Sequence, residues 1–248
     1  MRSALTFLLL LALKVLSRLL YRHDLGWVGE VPADRWSGYR IVALLNHTSL
    51  FEFLWAGSPP ARLLWQIARH GVVPAADVTL ARPLAGRFFR LLARHVVAIS
   101  RERDHTWIEV LSRIGDPEAL VVILPEGRMM RRGGLDKHGK PMTVRGGIAD
   151  ILEAIREGRM LLAYSGGLHH VQAPGERLPR LLKTIRLRLE SVDVARYRER
   201  LLAEAGPKGF RRAVVADLER RRDLYCWPGP ARRPGYSASS ASRPAPGS

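Results

Sequence analysis

Cysteine is almost absent from this chain: Cys226 is the only one among 248 residues. A lone thiol excludes an intramolecular disulfide framework and a cysteine-based zinc site, and it is compatible with a reducing compartment. Acidic side chains are also scarce, 23 against 40 basic ones, leaving a formal charge of +17 and an isoelectric point near 11.2. All but five of the basic residues are arginine. Genomic composition explains such an excess as readily as function does. Either way, a surface this positive attracts phosphate on nucleic acid, lipid head groups or an acidic protein. Aromatics make up only 7% of the chain and are not interleaved with the basic residues. No reading module is evident either, so no nucleic-acid partner is expected. Wholesale disorder is excluded by the 47% apolar content.

Long apolar runs are lacking as well. Leu5 to Leu13 is almost wholly apolar, but this uncharged core falls short of the roughly 20 residues that span a bilayer. A secretory leader would have a core of this length, yet Lys14 and Arg18 interrupt it and no clean small-x-small cleavage pattern follows. The expectation is a membrane-associating helix over residues 1–24, lying in the interface with Arg2, Lys14, Arg18 and Arg22 at the head groups. A terminal helix packed on the domain is the competing reading. An α/β domain over 25–227 and a disordered Pro/Ser/Ala/Gly tail over 228–248 complete the expected organisation.

Strand-like and helix-like segments alternate through the middle of the chain, which argues for an α/β fold with a mixed central sheet flanked by helices. Tyr39 to Leu45 is continuously apolar, as a strand covered on both faces should be. Phe51 to Ala56 opens a helix that Pro59-Pro60 ends. Arg62 to His70 fits strand or helix equally. Pro83 to Arg94 has helical periodicity with proline in the first turn. Val96 to Ile99 is a short strand, Asp104 to Ile114 a helix, and Ala119 to Leu124 another buried strand. Helix 148–157 and strand 160–164 follow. Thr184 to Val192 alternates with period two and predicts a half-exposed strand at a sheet edge. Two basic amphipathic helices, Ala195 to Ala205 and Phe210 to Leu224, end the ordered part.

Two of the strands run into charged turns, which points to a site built at the ends of neighbouring strands. After the first come Asn46, His47, Thr48, Ser49, Leu50, Phe51 and Glu52. A histidine oriented by a carboxylate takes a proton from a hydroxyl near neutral pH. His47 and Glu52 cannot share a helix face, being roughly 140° apart. They can meet if His47 lies in the turn and Glu52 in the first helical turn behind a Ser49 cap. On spacing alone, a surface histidine beside an unrelated acid remains the other reading. The second turn is Pro125-Glu126-Gly127-Arg128, which offers a carboxylate, a flexible step and a guanidinium suited to phosphate. Its plain alternative is a solvated ion pair. Arg101 follows the Val96 strand directly and is a further anion-binding candidate. Arg131, Arg132, Lys137, Lys140 and Arg145 make the next loop basic. His169-His170 reads as exposed rather than metal-binding. Ser165 lacks the Gly-x-Ser-x-Gly context of a hydrolase nucleophile.

These residues resemble the lysophospholipid (1-acylglycerol-3-phosphate) acyltransferases, a membrane-bound α/β family. Asn46 to Glu52 is similar to their His-x4-Asp block, with glutamate in the place of aspartate. Leu124 to Met130 matches the Pro-Glu-Gly core of their Phe-Pro-Glu-Gly-Thr-Arg-Ser block, with Met129 where the family has arginine. Val96 to Arg101 is similar to the strand that ends in arginine. The likeness runs from about residue 40 to 195, and the family's proline-bearing fourth block is missing from Met160 to Gly166.

The resemblance implies that His47 deprotonates an acceptor hydroxyl, which attacks the thioester of acyl-CoA or acyl carrier protein, while Glu52 orients the imidazole. It implies that Arg101, Glu126, Gly127 and Arg128 hold the polar head of a lysophospholipid-like acceptor, with no cofactor and no metal. The work would be done at the cytoplasmic face of the cell membrane. The rival from another class is a non-catalytic basic protein that binds membrane or nucleic acid through its charge.

Overall fold

The computed structural model describes residues 1–100 and 105–226. Seven strands form one mixed sheet: β1 (Arg22–Trp27), β2 (Tyr39–Leu45), β3 (Gly71–Ala76), β4 (His95–Ile99), β5 (Leu120–Ile123), β6 (Arg159–Ser165) and β7 (Thr184–Asp193). Their order is β1-β7-β6-β2-β5-β3-β4. Every pairing is parallel except β6 with β7, so β7 and β1 run against the other five strands. The α/β expectation holds.

Helices cover both faces. On one side α1 (Arg2–Leu20) packs against a 3-10 helix (Leu50–Gly57) and α2 (Ala61–His70). On the other lie α5 (His105–Ile114), α6 (Gly147–Ala154) and α7 (Val194–Tyr225). Short helices α3 (Asp77–Leu80) and α4 (Pro83–Arg90) follow β3. The alternation of β2 feeds both layers. Ile41, Ala43 and Leu45 enter the core beneath α5, α6 and α7, whereas Val42 joins the cluster with Leu54, Trp55 and Leu63. That double covering is why β2 reads as unbroken apolar sequence.

Several expectations need correction. β7 does alternate between buried and partly exposed positions, but it is not at an edge, because β1 pairs with it from Thr184 to Leu189. β1 escapes a pattern search because its residues, Arg-His-Asp-Leu-Gly-Trp, carry no alternation and none is fully buried. Asp24 on β1 instead pairs with Arg188 on β7 at 2.9 Å. β3 was also hidden, by Pro74. Its ladder to β5 covers only Gly71 and Val72, while pairing with β4 runs on to Ala76. Pro74 therefore stands where β3 has left β5, and a missing N–H costs nothing there. The ambiguous Arg62–His70 stretch is helical and buries Leu63, Leu64 and Ala68. The last two helices are one run broken at Gly206, whose φ of 65° and ψ of 173° are accessible to glycine alone.

The N-terminal helix is long and apolar enough to cross a membrane by length and composition. It is oriented unusually. Thr6 and Ser17 are fully buried, whereas Leu5, Leu8, Val15, Leu16 and Leu19 are exposed. Lys14 donates to the Pro59 carbonyl and Arg18 Nε to the Gly57 carbonyl at 2.8 Å. These two cations turn inward onto the fold, contrary to their expected place at head groups. The chain joins the sheet at Arg22, before residue 24. The segment 228–248, read as a disordered tail, lies outside the described residues.

Candidate active site

Because β2 and β5 are parallel neighbours, the turns after Leu45 and Ile123 leave the sheet at the same end. Asn46 redirects the first of them. Its φ of 70° is left-handed, a conformation asparagine tolerates better than most residues, and its side-chain amide donates to the Ser165 carbonyl on β6 at 2.8 Å. His47 follows. Ser49 Oγ then accepts the Phe51 N–H at 3.1 Å and caps the 3-10 helix, which places Glu52 in its first turn.

Glu52 closes on the turn it came from. One carboxylate oxygen lies 2.6 Å from His47 Nδ1, and the other accepts the Thr48 N–H at 2.8 Å. The pair is largely sheltered, with side-chain exposures of 16% and 9%. A carboxylate at Nδ1 holds that nitrogen as N–H and leaves Nε2 as the acceptor. Burial is the strongest influence on the His47 pKa and lowers it. The charge and hydrogen bond of Glu52, with the charge of Glu126, outweigh burial, and the net shift is upward.

The second turn is fastened to the first. Glu126 is 2% exposed. One of its oxygens accepts the His47 backbone N–H at 2.7 Å, and the other accepts Arg222 Nη1 of α7 at 3.2 Å. Burial raises the Glu126 pKa, and the His47 N–H and Arg222 only partly offset this. Met130 N–H donates to the His47 carbonyl at 2.8 Å. Both backbone groups of the histidine are thus held by the Pro125 turn. Gly127, at φ 61°, makes that turn possible. Arg128 pairs with Asp136 at 2.5 Å, and Asp136 also accepts the N–H groups of Lys140 and His138. Those two N–H donors and Arg128 hold the Asp136 carboxyl down at about 2, with the Lys140 N–H contributing most.

A cavity of about 1180 Å³ opens onto these residues. His47, Glu52, Gly127 and Arg128 line it, together with apolar Val42, Leu44, Phe53, Phe89, Val122 and Leu161 and basic Arg131, Lys137, Arg145 and Arg211. The lining is thus largely apolar with several basic side chains, of which Arg128 and Arg211 are paired with Asp136 and Asp150. Glu126 packs behind the wall. Arg101 lies outside the described residues. His169, expected to be exposed, is 9% exposed, and its Nε2 sits 2.6 Å from the Met130 carbonyl.

No family model and no curated protein matches the chain. Among solved structures, the 1-acyl-sn-glycerophosphate (LPA) acyltransferase PlsC from Thermotoga maritima is similar at a TM-score of 0.51 and 16% identity, over 87% of this chain and 78% of that one. The likeness is one of fold.

Arg222 is the site residue that sequence reasoning missed. A buried carboxylate needs a counter-charge, but nothing in the spacing marks one arginine among many, 96 positions away. Asn46 was legible only as part of a turn. The support that Gln172 gives Ser49, an acceptor at 2.6 Å, left no sequence signal.

Proposed function

We propose that the protein is a membrane-associated acyltransferase that moves a fatty acyl chain from a thioester donor to a hydroxyl of a lysophospholipid-like acceptor. The observation that carries this reading is the 2.6 Å contact between His47 and Glu52 at the wall of a largely apolar cavity that basic side chains also line. His47 Nε2 takes the proton from the acceptor hydroxyl, and the oxygen attacks the thioester carbonyl. The tetrahedral centre collapses with cleavage of the carbon–sulfur bond, and the imidazolium returns its proton to the departing thiolate. Glu52 fixes the tautomer and stabilises the imidazolium. No acyl-enzyme is needed.

The remaining roles are assigned by charge and by the family resemblance. Gly127 and Arg128, with Arg101, hold the acceptor's phosphate-bearing head, and Glu126 acts on the site through the His47 backbone. The apolar part of the cavity takes the acyl chain. Acyl-CoA and acyl carrier protein are both acidic donors that suit the chain's positive charge. The exposed leucines of α1 support association with a membrane, which this reading takes to be the cytoplasmic face of the cell membrane.

Replacing His47 with alanine tests this. Transfer from acyl-CoA to lysophosphatidic acid should fall by about 10²–10⁴, the usual cost of removing a general base, in a chain that still unfolds cooperatively. A loss smaller than about tenfold overturns the assignment. An unmodified protein that transfers no acyl group but binds anionic vesicles or DNA through its charge would favour the non-catalytic alternative.

A further inference from the structure

The exposed face of α1 does not end with the helix. Leu182 N–H donates to the Leu20 carbonyl at 2.8 Å, which seats the segment 177–183 against the C-terminal end of α1, beside exposed Leu19. This segment reads Arg-Leu-Pro-Arg-Leu-Leu-Lys. Leu178 and Leu182 are 81% and 76% exposed, and Leu181 is exposed as well. Leu182 has a φ of 58°, a left-handed conformation that a branched side chain adopts at a cost. A solvated loop would normally place glycine or asparagine there. Arg177, Arg180 and Lys183 separate the leucines, and the nearest acid, Glu176, is paired with Arg180 and Arg132.

Leucines projecting between cations, contiguous with an apolar helix face, match the chemistry of an anionic bilayer surface. We infer that residues 177–183 form a second membrane contact, with Leu178, Leu181 and Leu182 entering the acyl region and Arg177, Arg180 and Lys183 meeting lipid phosphates. This inference rests on the membrane association proposed for α1. Two attachment points hold the domain at a fixed tilt, whereas a single helix leaves it free to swing.

Sedimentation of the full chain with phosphatidylcholine vesicles, with and without phosphatidylglycerol, tests the proposal. Leu178→Ser/Leu181→Ser/Leu182→Asn, in which asparagine suits the left-handed position, should weaken partitioning by about tenfold or more at an unchanged thermal melt. Lys183→Gln, a surface change that does not burden folding, should weaken binding about fivefold on anionic vesicles only. Partitioning equal to that of the parent overturns the inference while leaving α1 membrane association intact, provided Leu5→Ser/Leu8→Ser/Leu19→Ser lowers binding. A parent chain that ignores vesicles overturns both. A leucine variant that loses self-association in sedimentation velocity but keeps vesicle binding shows that the patch is covered by a second copy.

Discussion

At the scale of single residues, the arrangement depends on charges that burial would otherwise reject. Glu126 is buried, and Arg222 and the His47 N–H offset part of the cost of burying its carboxylate. Removing one member of such a pair costs more than the pair contributes. Arg222→Met should therefore destabilise the fold by about 3 kcal/mol in urea denaturation, and adding Glu126→Leu should restore part of that. If the double variant is as unstable as the sum of the singles, the Arg222–Glu126 coupling is wrong. Asp136 gives a pH dependence of opposite sign to that of His47. Its carboxyl pKa is depressed to about 2 from an ordinary 3.8, so its contribution is complete above about pH 4 and fades as pH falls through about 2. Asp136→Asn should flatten the acid limb of stability in that window. For His47, raised in the folded state, the contribution is complete below its ordinary 6.5 and is lost as pH climbs through the folded value.

At the scale of elements, local signals were read well and distant ones were not. The meeting of His47 and Glu52 is open to sequence reading because only five residues, a serine cap and one turn of helix separate the two, although spacing alone fits a surface histidine as well. The Pro125 turn was legible because a buried strand runs straight into it. By contrast, the hydrogen bond from His47 N–H to Glu126 spans 79 positions, and it follows only from the parallel pairing of β2 with β5. β7 was misplaced at the edge because its neighbour β1 has no amphipathic pattern. Period two reports one covered face and says nothing of what pairs at either side. The break within α7 is a further test. Gly206 sits at φ 65° and ψ 173°, so Gly206→Ala should cost about 1–3 kcal/mol, read as a lower melting temperature. An unchanged melt would mean that α7 is continuous there in solution.

For the whole molecule, the proposed acyl transfer gives a basic surface, an apolar helix face and a cavity at the strand ends a common use. Of the 40 basic residues behind the +17 charge, Arg128, Arg131, Lys137, Arg145 and Arg211 line the cavity, with Arg128 and Arg211 paired to Asp136 and Asp150. The fold class was readable from alternating elements alone. Which arginine meets which acid was not, because 40 basic residues dilute any signal of pairing.

The pH dependence of kcat/KM for acyl transfer, compared between the unmodified chain and Glu52→Gln, is the measurement closest to the centre of this reading. A base must be unprotonated, and His47 is raised above 6.5. Activity should therefore rise with pH through an apparent pKa above that value. Removing the Glu52 charge should move the limb to lower pH and depress the plateau. A limb at or below pH 6.5 in the unmodified chain, or one that stays in place in Glu52→Gln, contradicts a His47 base held by Glu52.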